Sequence, residues 1–240
     1  MNADVQIRAE KCSRASLDTI SCVHSSEPLV PVETVERILV EPIWVKPIDE
    51  IEGPLMQEYV VARPEYTQVY VREAVKSRLL MASESLPSGT KLILRAGHRP
   101  VRVQQMLLEQ LLHKHLLENP GSTRHEALLH ARQYVSDPAI KLPPHCCGAA
   151  VDVDLFDERQ GKLVDFGCPV NTDSDKAHLF SRAITEKQHR NRMVLAEAML
   201  GAGFACYYYE WWHYSYGDQT WACFYDRPTA LYGITDEIPR

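Results

Sequence analysis

The run Tyr207–Gly217, YYYEWWHYSYG, constrains this chain more than any other stretch. Crowded aromatic rings of this kind favour an extended, packed strand. Yet the run also carries a carboxylate, Glu210, three residues before an imidazole, His213. A step of three faces one way on a helix but not on a regular strand, so the sequence predicts a bulge or a strand end here. Upstream, PPHCCGAAVDVD sets His145 seven residues before Asp152. An odd separation puts the two on opposite faces of an uninterrupted strand. Gly148, between them, allows a bend that would bring both to one point.

Taken together, His145, Asp152 and His213 offer two nitrogens and one carboxylate to a metal ion. Glu210 is left free to act on water. This inventory suits a catalytic zinc site, with three protein ligands and an open fourth position. Taken singly, each element has an ordinary explanation. An aromatic run is usually core, an isolated histidine is usually packed or solvated, and Asp152 and Asp154 could flank a turn. The ordered set His-x6-Asp followed by Glu-x2-His is far more specific than its parts.

The rest of the chain narrows the class. At 240 residues it can bury a core of its own. The net charge of −6 and the absence of a Lys/Arg block argue against a nucleic-acid partner. Seven cysteines, an odd number in a chain this long, fit a reducing compartment better than a disulfide framework. The N-terminus MNADVQIRAEKCSRA lacks the apolar stretch of a secretory signal. No apolar run approaches the ~20 residues that span a bilayer. The expectation is a cytoplasmic protein with no membrane partner. Its oligomeric state is not legible.

Along the chain, residues 1–30 are polar and Ser-rich, and read as a loosely ordered N-terminal arm ahead of one catalytic domain, residues 31–240. Strand-like runs in ERILVEPIWVKP are broken by Pro42 and Pro47. Val71, Ala74, Val75 and Leu79 are spaced for a helix over Val71–Ser85. Lys91–Leu94 reads as a buried strand. A second helix opens near Pro100 with Val103, Met106, Leu107 and Leu111 as its apolar stripe. Thr123-x-x-Glu126 and Thr185-x-x-Gln188 are capping boxes; the first predicts a helix through Tyr134, the second one ended by Gly201 and Gly203. Ala149–Phe156 and Phe204–Tyr216 read as strands. Helices and strands in separate runs imply an α+β fold: a single domain with a small, mostly antiparallel sheet and flanking helices.

At these motifs the sequence resembles the D-alanyl-D-alanine dipeptidases of the VanX type, within the LAS group of zinc D,D-peptidases. HCCGAAVD fits that family's His-x-x-Gly-x-Ala-x-Asp motif, EWWHY its second motif, and GHRP its Tyr/His-Arg-Pro motif. The resemblance covers roughly residues 35–226. It implies the hedgehog/D,D-peptidase-like version of the α+β fold and one zinc ion held by His145, Asp152 and His213. It also implies Glu210 as general base, Arg99 on the oxyanion, and a small D-amino-acid dipeptide as substrate. The physical chemistry agrees: a carboxylate can relay a water proton to the leaving amine, and a guanidinium donates a forked pair of hydrogen bonds to a developing oxyanion.

Two departures bear on the substrate. The family often has a serine two residues before the first ligand histidine; this chain has Pro143. The family also places an aspartate in the loop after the second strand, to pair with the substrate's amino group. Here the corresponding position is Asn171, with Asp173 two residues on. Asp173 is the expected partner, because an unpaired cation in a closed pocket is costly. Cys146 and Cys147 adjoin a ligand and could coordinate zinc through sulfur, but are expected as buried or semi-exposed thiols. His98, His113, His115, His125 and His130 are expected as non-ligands. The competing readings are a peptidoglycan-stem carboxypeptidase or endopeptidase, a non-catalytic zinc module, and a cysteine hydrolase. The last is disfavoured because adjacent residues make a poor thiol–imidazole pair.

Overall fold

The computed structural model describes residues 3–14, 17–42, 68–132, 134–172 and 174–236. Its centre is strand β6. The elements before it are α1 (Ala3–Arg14), β1 (Ser21–Cys22), β2 (Leu29–Val32), β3 (Ile38–Val40), β4 (Val69–Arg72), α2 (Glu73–Ser85), β5 (Thr90–Ala96), α3 (Val101–Glu118) and α4 (Arg124–Ala131). Then come β6 (Ala150–Asp157), β7 (Lys162–Leu163), α5 (Glu186–Gly201), β8 (Ala205–Cys206), β9 (His213–Ser215), α6 (Gln219–Phe224) and β10 (Thr229–Ala230). The main sheet runs β3-β5-β6-β9-β8, with β7 also on β6. Its pairings are antiparallel except β3 with β5. A separate antiparallel ribbon joins β2 to β4. The fold is α+β.

Strand β6 alternates. Val151, Val153 and Leu155 enter the apolar core with Val75 and Leu79 of α2 and Leu195 and Met199 of α5. Asp152 and Asp154 point the other way, and both are buried. Burying the three apolar side chains contributes about 1.5–3 kcal/mol each. A slip of one residue would turn all three outward and the carboxylates into the core, so register is strongly specified. That register sets Asp152 opposite His213 on one side and opposite Ala96, beyond an irregularity in β5, on the other.

Two helices at this end have no cap of their own. Arg72 and Pro100 precede α2 and α3 and supply no side-chain capping hydrogen bond to the helix start. Distant segments take over. Glu27 accepts from the N–H of Ala74 at 2.6 Å and from the Tyr232 hydroxyl at 2.6 Å. Asp236 accepts from the N–H of Val101 at 2.9 Å. The boxes at Thr123 and Thr185, in contrast, close locally, as their spacing predicts.

Several expectations are corrected. Toward the N-terminus, α1 buries Ala9 and Cys12 against the core, and β2 pairs with β4. The partners lie far along the chain, so local composition could not reveal them. Val71 belongs to β4, and its helix starts at Glu73. Helix α3 buries Val103, Gln104, Leu108 and Leu112, while Met106, Leu107 and Leu111 are half-buried. Helix α4 ends at Ala131, short of Tyr134. The run Phe204–Tyr216 is not one strand: Tyr207–Trp212 leaves the sheet between β8 and β9. That excursion drives Trp211 and Trp212 into the core, Trp211 stacking on Phe166 at 4.0 Å. Of ERILVEPIWVKP, Ile38–Val40 is a strand; residues from Ile43 on lie outside the described residues.

Candidate metal centre and active site

Three separate devices deliver the site's side chains. His145 sits in a 3-10 turn, Pro144–Cys147, which Gly148 terminates at φ 69°. This left-handed residue is the bend that lets His145 and Asp152, seven apart, meet. Register delivers His213 opposite Asp152. The excursion before β9 delivers Glu210, whose carbonyl accepts from the His213 N–H at 3.3 Å.

Donor atoms of His145, Asp152 and His213 all lie within 4.8 Å of one another, and all three residues are buried. Asp152 lies between the rings, with Oδ2 3.4 Å from His145 Nε2 and Oδ1 3.2 Å from His213 Nδ1. His145 Nδ1 donates to the Gly97 carbonyl at 2.8 Å. That bond fixes the tautomer and leaves Nε2 with its lone pair facing Asp152, the arrangement usual for a metal-binding histidine. Gly97 is required there, since a Cβ would lie 2.7 Å from Val69 Cγ1 and 2.9 Å from Val71 Cγ1. Two imidazoles and a carboxylate are the donor set of a catalytic zinc site, and these residues fit the ion.

The electrostatics reflect this crowding. Burial alone would push the Asp152 carboxyl up, but the two imidazoles hold it well below the usual carboxylate range. Burial lowers His145, with Asp152 opposing and the Arg99 charge adding to the effect. His213 is raised: burial works against its charge, but Asp152 and Glu210 outweigh it. Glu210 Oε2 stands 3.6 Å from His213 Nδ1. Packing raises its carboxyl to about 7, against the pull of His213. Because 33% of the Glu210 side chain stays exposed, water can reach it.

Arg99 follows β5 and opens α3. Its N–H donates to the His145 carbonyl at 3.1 Å. Its guanidinium donates to Gln104 Oε1 at 2.9 Å, and Gln104 Nε2 donates in turn to the Ser136 carbonyl at 2.8 Å. Its charge is felt at both His145 and Glu210. Gln104 was not singled out from the sequence; the available signal was a polar residue on the inward face of α3. Arg192 was also missed. It is fully buried and donates to the carbonyls of Phe166 (2.9 Å), Lys176 (2.6 Å) and His178, bracing the loop between β7 and α5. That loop is stitched to the Glu210 excursion by Trp211 N–H to Ala177 O and Leu179 N–H to Tyr208 O, both 2.9 Å. It carries Asn171, exposed and left-handed at φ 64°. Asp173 lies outside the described residues.

Neither Cys146 nor Cys147 belongs to the converging donor group. Burial pushes Cys146 up to about 12 and Cys147 well above the usual thiol range. His98 is buried, with Nε2 donating to the Thr235 carbonyl at 2.7 Å. His113, His115, His125 and His130 lie on α3 and α4, and His115 and His130 pack ring to ring at 4.3 Å. Among the described residues none of these joins the donor group.

Fold and site together define a peptidase-like α+β domain with a metal-ready triad, and comparison with known proteins places it. Residues 58–232 match the family described as D-ala-D-ala dipeptidase, and the chain belongs to that family. Among relatives, the D-alanyl-D-alanine dipeptidase of Escherichia coli (strain K12) is 27% identical over 143 residues, 60% of this chain and 64% of that protein. The Synechocystis D-alanyl-D-alanine dipeptidase is 28% identical over 188 residues, 65% of this chain and 73% of that protein. The Enterococcus faecium enzyme of the same name is 26% identical over 176 residues, covering 71% and 82%. The chain thus spans just under two thirds of the Escherichia coli relative. Among solved structures, the vancomycin-resistance D,D-pentapeptidase VanY with Zn(II) is 18% identical, covers 68% of this chain and 82% of that chain, and has a TM-score of 0.39. The LdcB LD-carboxypeptidase is 15% identical, covers 87% and 81%, and has a TM-score of 0.43.

Proposed function

We propose that this protein is a zinc-dependent dipeptidase that hydrolyses D-alanyl-D-alanine or a closely related small dipeptide. The observation that carries the reading is the convergence of the His145, Asp152 and His213 donors within 4.8 Å, with the Glu210 carboxyl 3.6 Å from His213. Family membership and the relatives' names support the substrate class.

His145, Asp152 and His213 would hold the ion. When bound, zinc supplies the positive charge that polarises the scissile carbonyl and acidifies water. Glu210 takes the proton of the attacking water as the carbon–oxygen bond forms. It then returns a proton to the amine as the carbon–nitrogen bond breaks. A carboxylate placed beside the attacking water suits both transfers. Arg99, steadied by Gln104, donates hydrogen bonds to the carbonyl oxygen as it gains charge. Half-buried Tyr207, edge-on to His213 at 5.6 Å, screens the site from bulk water, which strengthens each of these interactions. Asp173, or failing it Asn171, would meet the substrate's amino group.

We also place the protein in the cytoplasm, where a free dipeptide is available. Its cysteines are all thiols, and no helix among the described residues is long and apolar enough to cross a membrane. The test is release of free alanine, D or L according to the substrate, by the zinc-loaded protein from D-Ala-D-Ala, L-Ala-L-Ala and a pentapeptide stem ending in D-Ala-D-Ala. Turnover of the first alone is expected. Turnover of the stem alone would replace this reading with a carboxypeptidase, and turnover of none with a non-catalytic zinc module.

A further inference from the structure

Cys12 on α1 and Cys223 on α6 face each other with their Sγ atoms 2.7 Å apart, although 211 residues separate them in sequence. Both are thiols. Polar contacts flank the sulfurs and hold the two helices together. Arg8 donates to the Phe224 carbonyl at 3.2 Å and lies 3.5 Å from Asp226, and Lys11 lies 3.1 Å from Asp226. Cys12 is buried and Cys223 half-buried, so solvent reaches the pair from the Cys223 side. A small side-chain rotation would bring the sulfurs to the ~2.05 Å of a covalent bond. The clasp also connects to the site strand. Helix α6 is capped by Asp218, which accepts from Trp221 N–H at 2.7 Å and from the Ser215 hydroxyl at 2.9 Å; Ser215 is two residues beyond His213 on β9.

We propose that Cys12 and Cys223 form a reversible disulfide, open in reducing surroundings and closed by a peroxide. The sulfur of Cys223 attacks a peroxide oxygen and becomes a sulfenic acid, with one water released. The sulfur of Cys12 then displaces that hydroxyl as a second water and forms the S–S bond. The two sulfurs lose two electrons, the peroxide oxygens gain them, and both thiol protons end in water. Burial pushes the Cys12 thiol up. Closing so long a loop restricts the unfolded chain strongly.

The experiment treats the purified full-length protein with hydrogen peroxide, with and without subsequent dithiothreitol. Free thiols are counted after denaturation, unreduced peptides are mapped, and Tm is recorded. The result expected is loss of two of the seven thiols and a cross-linked peptide pair containing Cys12 and Cys223. Tm should rise by roughly 5–10 °C, and dithiothreitol should reverse all three changes. Cys223→Ser should abolish the cross-link and the Tm rise. A cross-link through any other pair, no cross-link at all, or an unchanged Tm rise in Cys223→Ser would overturn the proposal. The wild-type peptide map decides the matter even if the variant fails to fold.

Discussion

Arg99 and His98, neighbours in the chain, face different constraints. The Arg99 guanidinium is held by Gln104 and biases the charge of the site. Arg99→Ala should lower turnover by ~10²–10³ with zinc content unchanged; a loss of under tenfold would return Arg99 to a structural role. His98 acts on stability. Burial lowers its imidazole to about 4, against the Thr235 carbonyl that favours its charged form. In the unfolded chain it titrates near ~6.5. Between these values the unfolded chain binds the proton and the folded protein does not. Stability therefore falls as pH drops from ~6.5, with the full cost of about 3 kcal/mol reached below the folded value. His98→Gln keeps an N–H for Thr235 but does not titrate, so its acid loss over that window should be smaller. Superimposable Tm–pH curves for the two proteins would contradict this. At this scale the convergence of His145, Asp152 and His213 was legible because residue type and short spacing carry it. Gln104 and Arg192 were not, because a polar side chain inside a helical pattern looks solvated until its buried face is known.

Among the elements, the turn at Gly148 contributes most to the site. Its φ of 69° suits glycine, and an added methyl would strike the Leu29 side chain. Gly148→Ala should cost ~1–3 kcal/mol and weaken zinc affinity, because the same turn aims His145. Unchanged affinity, measured by competition with a chelator, would show that the turn does not set the site. Thr185→Ala should cost ~0.5–2 kcal/mol by removing the cap of α5, with turnover per folded molecule preserved; denaturant midpoints report the first and kinetics the second. The boxes at Thr123 and Thr185 were readable because both partners of each lie within four residues. The caps of α2 and α3 were not, because Glu27 and Asp236 reach them from opposite ends of the chain. The aromatic run misled for a related reason. A strand accounts for crowded rings locally, but the core takes Trp211 and Trp212 from a loop.

For the molecule as a whole, Val151, Val153 and Leu155 anchor β6 in the apolar core away from the donor group, so the fold is expected to persist without the ion. Zinc, binding only the folded protein, adds stability by mass action, ~2.7 kcal/mol at a hundredfold excess over Kd. Chelation should therefore lower Tm by several degrees and leave a cooperative transition at room-temperature fold. Global unfolding on chelation would mean that the ion is structural. The α+β class was legible from the separation of helical and strand patterns. The joining of both chain ends to the domain was not, because it depends on pairings such as β1 with β10 that span nearly the whole sequence.

The central claim is that Glu210 acts on water beside a zinc ion held by His145, Asp152 and His213. The most direct test compares wild type and Glu210→Gln, with bound zinc and D-alanine release from D-Ala-D-Ala measured on the same samples. The account predicts one zinc per chain in both proteins and a fall in turnover of ~10²–10⁴ in the variant. Equal turnover at equal zinc content would contradict it.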